Sequence, residues 1–370
     1  MFAYMKTMSD QNSILLQINR VADDLRRGWP AAVQSGDTHL VFMPLEFAAR
    51  DMLAQFDAFG ETSRAAPFII VTGRRAETLK VAHKGWSVVR LRREGWMRAV
   101  DFEALADPTR DLATPLKGPY SRIDHEESPV DQAAVKLVKI ARLLPAVLAF
   151  ETDTVPDGML SVSATDVLGF DEIQAQSLRQ VASAKVPLAG AENTRLVSFR
   201  PLTGGIEHMA IVIGDPPRHE PVLVRLHSEC FTGDLLGSLK CDCGEQLRGA
   251  IKAIDENGGG VVLYLAQEGR GIGLTSKLKA YALQDEGFDT VDANTRLGFE
   301  VDERDFGPAA EMLKALGIEQ VKLMTNNPNK VEGLKARGIN VVERVKHAFP
   351  TNPHNIGYLQ TKKDKTGHLL

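Results

Sequence analysis

Three cysteines, Cys230, Cys241 and Cys243, fall within fourteen positions of a 370-residue chain that has no others. Thiolates are soft ligands that suit zinc, and three of them leave a tetrahedral ion one position for water. Cys241 and Cys243 flank a single residue just ahead of a segment with helical periodicity, where a helix N-terminus favours the thiolate form. Water in the open position would have its pKa drawn toward neutrality and become a usable hydroxide. The competing reading is three small buried side chains, a common fate of free cysteine. A site of four cysteines is excluded by the count, and a closed site would need a histidine such as His227 or His208. An odd number of cysteines is also a poor disulfide framework.

Other segments have residue types that suit an anionic ligand. Gln267–Leu274 contains Gly269, Arg270, Gly271 and Gly273 between a hydrophobic strand and a helix. Glycines placed there would expose backbone N–H groups, and the Arg270 fork could clamp a phosphate. Neither the Walker loop nor the dinucleotide fingerprint is present, so a simple tight turn competes. Asp302–Asp305 is a charged cluster whose bland reading is a solvated loop. Thr325–Lys330 follows a strand and precedes a helix, where an N-cap and turn would suffice. Arg225–Glu229 forms a third polar set at a strand end. In open α/β sheets ligands gather at the carboxyl ends of strands, so three such sets beside the sulfurs point to one site.

The elements that must position these residues follow from hydrophobic spacing. Strand and helix alternate in the second half: Val222–Leu226 (strand), Gly244–Glu256 (helix), Val261–Leu265 (strand), Thr275–Gln284 and Pro308–Leu316 (helices). Val321–Met324 and Ile339–Val342 read as strands around a short helix beginning near Lys330. The fold class is therefore α/β with mixed sheets. In the first half a helix runs through Ile18, Val21, Ala22 and Leu25, and Ala31–Val33 and Leu40–Phe42 are strands around a Ser35–Asp37 turn. Phe68–Thr72 is a buried strand, Asp101–Ser128 a loop, Val130–Leu144 a helix and Val147–Phe150 a strand. Pro187 and Gly190 interrupt the pattern and suggest two domains, 1–185 and 186–370.

The net charge of -4 offers no global attraction for nucleic acid, and no run of about 18 apolar residues could span a membrane. The N-terminus lacks the apolar core of a signal peptide, so a cytoplasmic protein is expected.

Val224–Cys230, Thr232–Asp234, Ser238–Gly244, Gln267–Arg270, Ala280–Asp285, Asp302–Phe306 and Thr325–Pro328 together resemble GTP cyclohydrolase II. The resemblance runs over about residues 185–370, including Tyr358-Leu359 and Gly367–Leu370 in the tail. It implies a GTP cyclohydrolase II-like fold and one Zn2+ per subunit on Cys230, Cys241 and Cys243. It also implies water attack at C8 of guanine, loss of formate and release of pyrophosphate. The product is 2,5-diamino-6-ribosylamino-pyrimidinone 5'-phosphate, which opens riboflavin biosynthesis. Arg304 matches the nucleophile toward the α-phosphorus, Asp302 its proton acceptor, and Tyr281 a tyrosine near the metal water. Arginine is a poor nucleophile at its usual pKa, so that role needs a base beside it. The implied GTP contacts are Arg225, Leu226, His227, Ser228, Glu229, Gln246, Glu268, Gly269, Arg270, Thr290, Thr325 and Lys330. Mg2+ on the triphosphate and a homodimer are implied as well.

Asn19–Gly28, Phe68–Thr72 and Lys136–Val147 resemble dihydroxybutanone phosphate synthase. That enzyme needs an acidic Asp/Arg/Glu cluster after the glycine, where this chain has Val33–Val41. The front half is therefore expected to be a degenerate, non-catalytic relative that serves stability or dimer contacts. Two alternatives to the cyclohydrolase reading stand. One is a related enzyme of uracil or pyrimidine catabolism; the other is a non-catalytic, zinc-containing nucleotide-binding regulator. The regulator has no need of Asp302, Arg304 and Tyr281.

Overall fold

The computed structural model describes residues 2–48, 50–62, 66–115, 117–217, 219–349, 353 and 360. The tail motifs at 358–359 and 367–370 lie outside the described residues. The chain divides into two compact units, one of Met1–Phe170 with Thr275–Asp302 and the other of Asp171–Leu274 with Glu303–Leu370.

The first unit is built on a six-stranded sheet: β1 (Ala31–Ser35), β2 (Thr38–Pro44), β3 (Phe68–Thr72), β4 (Val88–Arg92), β5 (Ala146–Thr152) and β6 (Ser161–Ser163). Their order is β4-β3-β5-β2-β1-β6, antiparallel except for the β1–β6 pair. The β1–β2 hairpin closes around Gly36, as the Ser35–Asp37 turn predicts. Helix Pro129–Ile140 lies across β1 to β5 and buries Val130, Ala133, Ala134, Leu137 and Val138. Its Asp131 is buried too, in a bidentate pair with Arg90 at 2.8 and 2.8 Å. A buried carboxylate is tolerable only when paired in this way.

The expected loop over 101–128 is partly helical: Ala99–Ala106 forms a helix with Phe102 and Leu105 buried, and a single turn spans Pro108–Arg110. The Asp101 carboxylate accepts the Arg98 N–H at 2.8 Å, which closes the helix start. Eight residues give too few apolar positions for the 3.6 period to stand out.

The second unit carries a seven-stranded sheet: β7 (Leu178–Lys185), β8 (Thr194–Pro201), β9 (His208–Gly214), β10 (Val222–Ser228), β11 (Gly259–Leu265), β12 (Gln320–Met324) and β13 (Asn340–Val345). In the order β13-β12-β10-β11-β9-β8-β7, the first four strands are mutually parallel and the last three join antiparallel. Helix Cys243–Glu256 packs one face through Ala250 and Ile254. Helices Gly307–Ala315 and Pro328–Lys335 cover the other face through Met312, Leu313 and Leu334. This is the layered α/β arrangement expected from the alternation.

The expected boundary at 185/186 differs from the observed division. Pro187 and Gly190 lie in the connection between β7 and β8, where Leu188 and Ala191 exchange backbone hydrogen bonds at 3.1 and 3.0 Å. A hairpin turn and a linker carry the same punctuation in sequence. Residues 275–302, expected in the second domain, belong to the compact unit of the front half. Among the described residues no helix is long and apolar enough to cross a membrane.

Candidate active site

The parallel strand β10 delivers Arg225, His227 and Ser228 to its carboxyl end, and the chain then enters the cysteine loop. Cys230 is followed by a π-helical turn, Phe231–Leu235, a geometry frequent at functional sites. Cys243 opens helix Cys243–Glu256. The three sulfurs converge: Cys230 Sγ and Cys241 Sγ are 3.7 Å apart, and all three lie within 4.8 Å of one another. No histidine or carboxylate joins this group among the described residues. His227 Nε2 is engaged by Asp234, and His208 Nδ1 accepts the Ala266 N–H at 3.1 Å. Neither candidate fourth ligand is therefore in place. Contact with the Cys230 sulfur, together with burial, pushes the Cys241 thiol up to about 11. Sulfurs crowded this closely ionise together only beside a cation, so the donor set fits zinc.

Gly233 makes the convergence possible. A Cβ built there would stand 2.7 Å from Cys241 Sγ and 3.1 Å from Cys230 Sγ. We expect Gly233→Ala to weaken zinc binding about 10–100-fold, the usual effect of disturbing a metal site's surroundings. Competition with a chromogenic chelator measures it, and an unchanged zinc affinity would show that the turn yields freely.

Asp234 ties the loop to the sheet. Its carboxylate accepts from Cys230 N–H, from the Tyr264 hydroxyl and from His227 Nε2, each at 3.0 Å. The His227 and Tyr264 rings stack with centroids 5.6 Å apart. Burial lowers the His227 pKa despite Asp234, and burial with the Asp234 charge raises that of Tyr264. A proton on Nε2 directed at Asp234 leaves Nδ1 as an acceptor. His227 Nδ1, Ser228 Oγ and Arg225 Nε are buried without a hydrogen-bond partner. Three such atoms at the end of one strand mark a place where a polar ligand or water completes the bonding. Sequence reasoning missed Asp234 and Tyr264 as site residues. The available signal was a single tyrosine in the otherwise aliphatic run of β11.

Arg225 is buried, its Nη1 donating to the Met324 carbonyl at 2.9 Å and its Nη2 to Gln246 Oε1. Burial lowers its pKa to about 10, so it remains cationic at neutral pH. Gln246 in turn donates to Asp242, and its carbonyl accepts His347 Nε2–H at 2.9 Å. Burial and the nearby Arg225 charge hold the His347 ring down to about 4. An imidazole in the unfolded chain titrates near 6.5, so the unfolded state takes up the proton first. This contribution to stability is complete above about pH 6.5 and is lost as pH falls toward 4. The urea midpoint should fall across that window, and His347→Gln should flatten the fall. An equally steep decline in the variant would assign it to other groups.

The glycine-rich loop differs from expectation. Gly269 and Arg270 both adopt left-handed backbone, at φ 63 and 61. The glycine amides turn inward: Gly269 N donates to Glu268 Oε1 at 2.9 Å, Gly271 N to Gln267 O at 3.2 Å and Gly273 N to Glu268 O at 3.0 Å. The other Glu268 carboxylate oxygen accepts Phe231 N–H at 2.6 Å, which ties this loop to the cysteine turn. Glu303 N–H donates to Arg270 O at 3.0 Å, so the backbones carrying Arg270 and Arg304 are in contact. Thr325 and Lys330 are 1% and 6% exposed; Thr325 Oγ1 accepts Asn327 N–H, and Lys330 Nζ donates to Leu226 O at 2.6 Å.

The second unit thus holds the sulfurs, Arg225–Glu229, Gln246, Glu268–Arg270, Arg304, Thr325 and Lys330. Tyr281, Thr290 and Asp302 belong to the first unit, with Thr290 opening a short helix capped by Asp289.

The family model for GTP cyclohydrolase II matches residues 179–346. A GTP cyclohydrolase-2 of Azospirillum brasilense is 48% identical over 95% of this chain and 94% of its own length. The riboflavin biosynthesis protein RibBA of Phocaeicola vulgatus is 41% identical over 74% of this chain and 73% of its own length, an alignment that reaches into the front half. A GTP cyclohydrolase-2 of Shigella boydii is 54% identical over 52% of this chain and 98% of its own length. A two-domain 3,4-dihydroxy-2-butanone 4-phosphate synthase of A. baumannii is 16% identical, covering 90% of this chain and 99% of that structure, with a TM-score of 0.33 too low to argue from. Near-complete alignment at almost half identity, with the cysteine loop inside the matched region, shows that the chain belongs to the GTP cyclohydrolase II family.

Proposed function

We propose that this chain hydrolyses GTP, opening the guanine imidazole ring with release of formate and pyrophosphate. The carrying observation is the convergence of Cys230, Cys241 and Cys243 within 4.8 Å, with no histidine or carboxylate among the described residues joining them, in a chain of this family. These cysteines would hold zinc, which when bound supplies a Lewis acid able to bring water to a reactive protonation state at neutral pH.

This chain's own residues do the rest. Asp234 holds the Cys230 backbone and sets the His227 tautomer, so that Nδ1 accepts from the ligand. Arg225 presents a positive charge, fixed by Met324 and Gln246, beside the cysteine loop. With the glycine amides turned inward, the Arg270 side chain is the phosphate-binding element of its loop. Arg304 would attack the α-phosphorus, and Asp302, two residues away in sequence, would take its proton. Guanidinium nucleophilicity depends on such a base. Tyr281 would orient the reacting water, and Thr290 would bind the nucleotide. Magnesium on the triphosphate, a homodimer and a cytoplasmic location belong to the same reading.

The test is incubation of the zinc-loaded protein with GTP while formate and pyrophosphate are followed separately. Both products at equal rates support the reading. Turnover of a pyrimidine or another base instead, or tight GTP binding with neither product, would overturn it.

A further inference from the structure

Residues 275–302 carry Tyr281, Thr290 and Asp302 and are joined covalently to the second unit at both ends, yet they are packed as part of the first. They consist of two short helices, Leu274–Asp285 and Thr290–Arg296, and a return stretch. Helices shorter than about 12–15 residues are marginal in water and depend on tertiary support.

The front half supplies that support in four places. Lys279 Nζ is ion-paired with the Asp107 carboxylate, and both side chains are largely buried. Asp107 is in turn anchored by Thr109, whose N–H it accepts at 3.0 Å and whose hydroxyl it accepts at 2.8 Å. Arg75, only 1% exposed, forks onto both Asp111 oxygens at 2.9 Å, donates to Leu105 O at 2.9 Å and reaches the Arg296 carbonyl at 3.5 Å. Finally, Gly298 has a φ of +87, and a Cβ there would stand 3.0 Å from Pro145 Cγ, 3.0 Å from Thr72 Oγ1 and 3.4 Å from Arg75 Cβ. The backbone of the segment therefore sits directly on the end of β3 and the start of β5. The flanking Leu297 and Phe299 are buried. At the rim, Arg74 pairs with Glu300 at 3.0 Å.

We propose that the front half is a positioning frame for residues 275–302, in which the Asp107–Lys279 pair and the seat of Gly298 on Thr72, Arg75 and Pro145 hold the segment that carries Tyr281, Thr290 and Asp302. This rests on the roles given above to Tyr281, Thr290 and Asp302. It assigns the front half a function beyond bulk stability without any chemistry of its own. Small displacements of reacting groups cost about a hundredfold in rate, so a frame of this kind is felt in turnover.

The experiment compares full-length, zinc-loaded protein with its Gly298→Val, Asp107→Asn and Asp107→Glu variants. Amide hydrogen exchange and steady-state formate release are both measured. Gly298→Val and Asp107→Asn should speed exchange across 275–302 about tenfold while 306–346 keep their protection and zinc content is unchanged. The same variants should lower kcat about 10–100-fold, and Asp107→Glu, which keeps the charge, should recover most of it. Asp107→Asn removes one ion pair with little change of shape, so it decides the matter should Gly298→Val not fold. Unchanged exchange in 275–302, or faster exchange with kcat intact, would overturn the frame. A wild-type protein that does not turn over GTP would instead defeat the functional reading, and the exchange comparison would still decide whether the front half holds the segment.

Discussion

A Cys241→Ser variant is expected to lose bound zinc and to release formate at least about a thousandfold more slowly than the parent. Serine is nearly isosteric, and the position lies at the foot of helix Cys243–Glu256, so the fold should persist. The change therefore falls on the donor set alone. A hydroxyl keeps its proton at neutral pH and is a poor ligand for zinc, whereas a thiolate is a good one. The two remaining sulfurs, Cys230 and Cys243, do not complete the three-point grip. Metal analysis gives the first readout, circular dichroism the second and formate release the third. A folded Cys241→Ser protein that retains stoichiometric zinc and full turnover would remove the cluster from the chemistry. A protein that loses zinc yet turns over GTP would show that the ring is opened without metal.

An Arg304→Ala variant should retain zinc but lose pyrophosphate release by about three orders of magnitude, the scale on which loss of a nucleophile acts. Its backbone neighbour Glu303 is bonded to Arg270 O at 3.0 Å, so the two arginines approach the same region. The Arg304 charge also acts on Arg225, lowering that residue's pKa further after burial and against the pull of Asp242 and Cys243. Two guanidinium groups close enough to feel each other's charge, Arg225 and Arg304, suit a polyanionic ligand. Arg304→Lys separates two roles. If Arg304 merely neutralises phosphate charge, lysine should restore much of the rate. If it attacks phosphorus through a guanidinium nitrogen, the ammonium in its place, with different reach and geometry, should not. Unchanged pyrophosphate release in Arg304→Ala would locate the nucleophile elsewhere.

The chemistry of this chain is legible in its sequence because it is local. Cys230, Cys241 and Cys243 lie on one loop and the helix start after it, and the parallel strands β10, β11 and β12 carry buried aliphatic residues and lead into polar sets. Hydrophobic runs bounded by glycine and polar residues identify buried strands without any knowledge of their partners. Other features were illegible because their meaning depends on what lies opposite. Strands β8 and β9 join the sheet only through antiparallel pairing, and Pro187 with Gly190 served as a turn where a linker was expected. The glycines of 269–273 looked like open amide donors, and the fold turned those amides inward onto Gln267 and Glu268. Asp234 gained its importance only when the π-helical turn brought it to His227, Tyr264 and the Cys230 amide.

Residue identity and short-range spacing alone pointed to a cluster of three sulfurs and to the α/β class, since each depends on groups a few positions apart along one strand, loop or helix. The tertiary structure alone decided where 275–302 belongs. Its partners Thr72, Arg75, Asp107 and Pro145 lie more than a hundred residues away in the chain, and no pattern in either stretch announces the other. Burial and ion pairing between distant segments act through space, so they become visible only once the chain has folded.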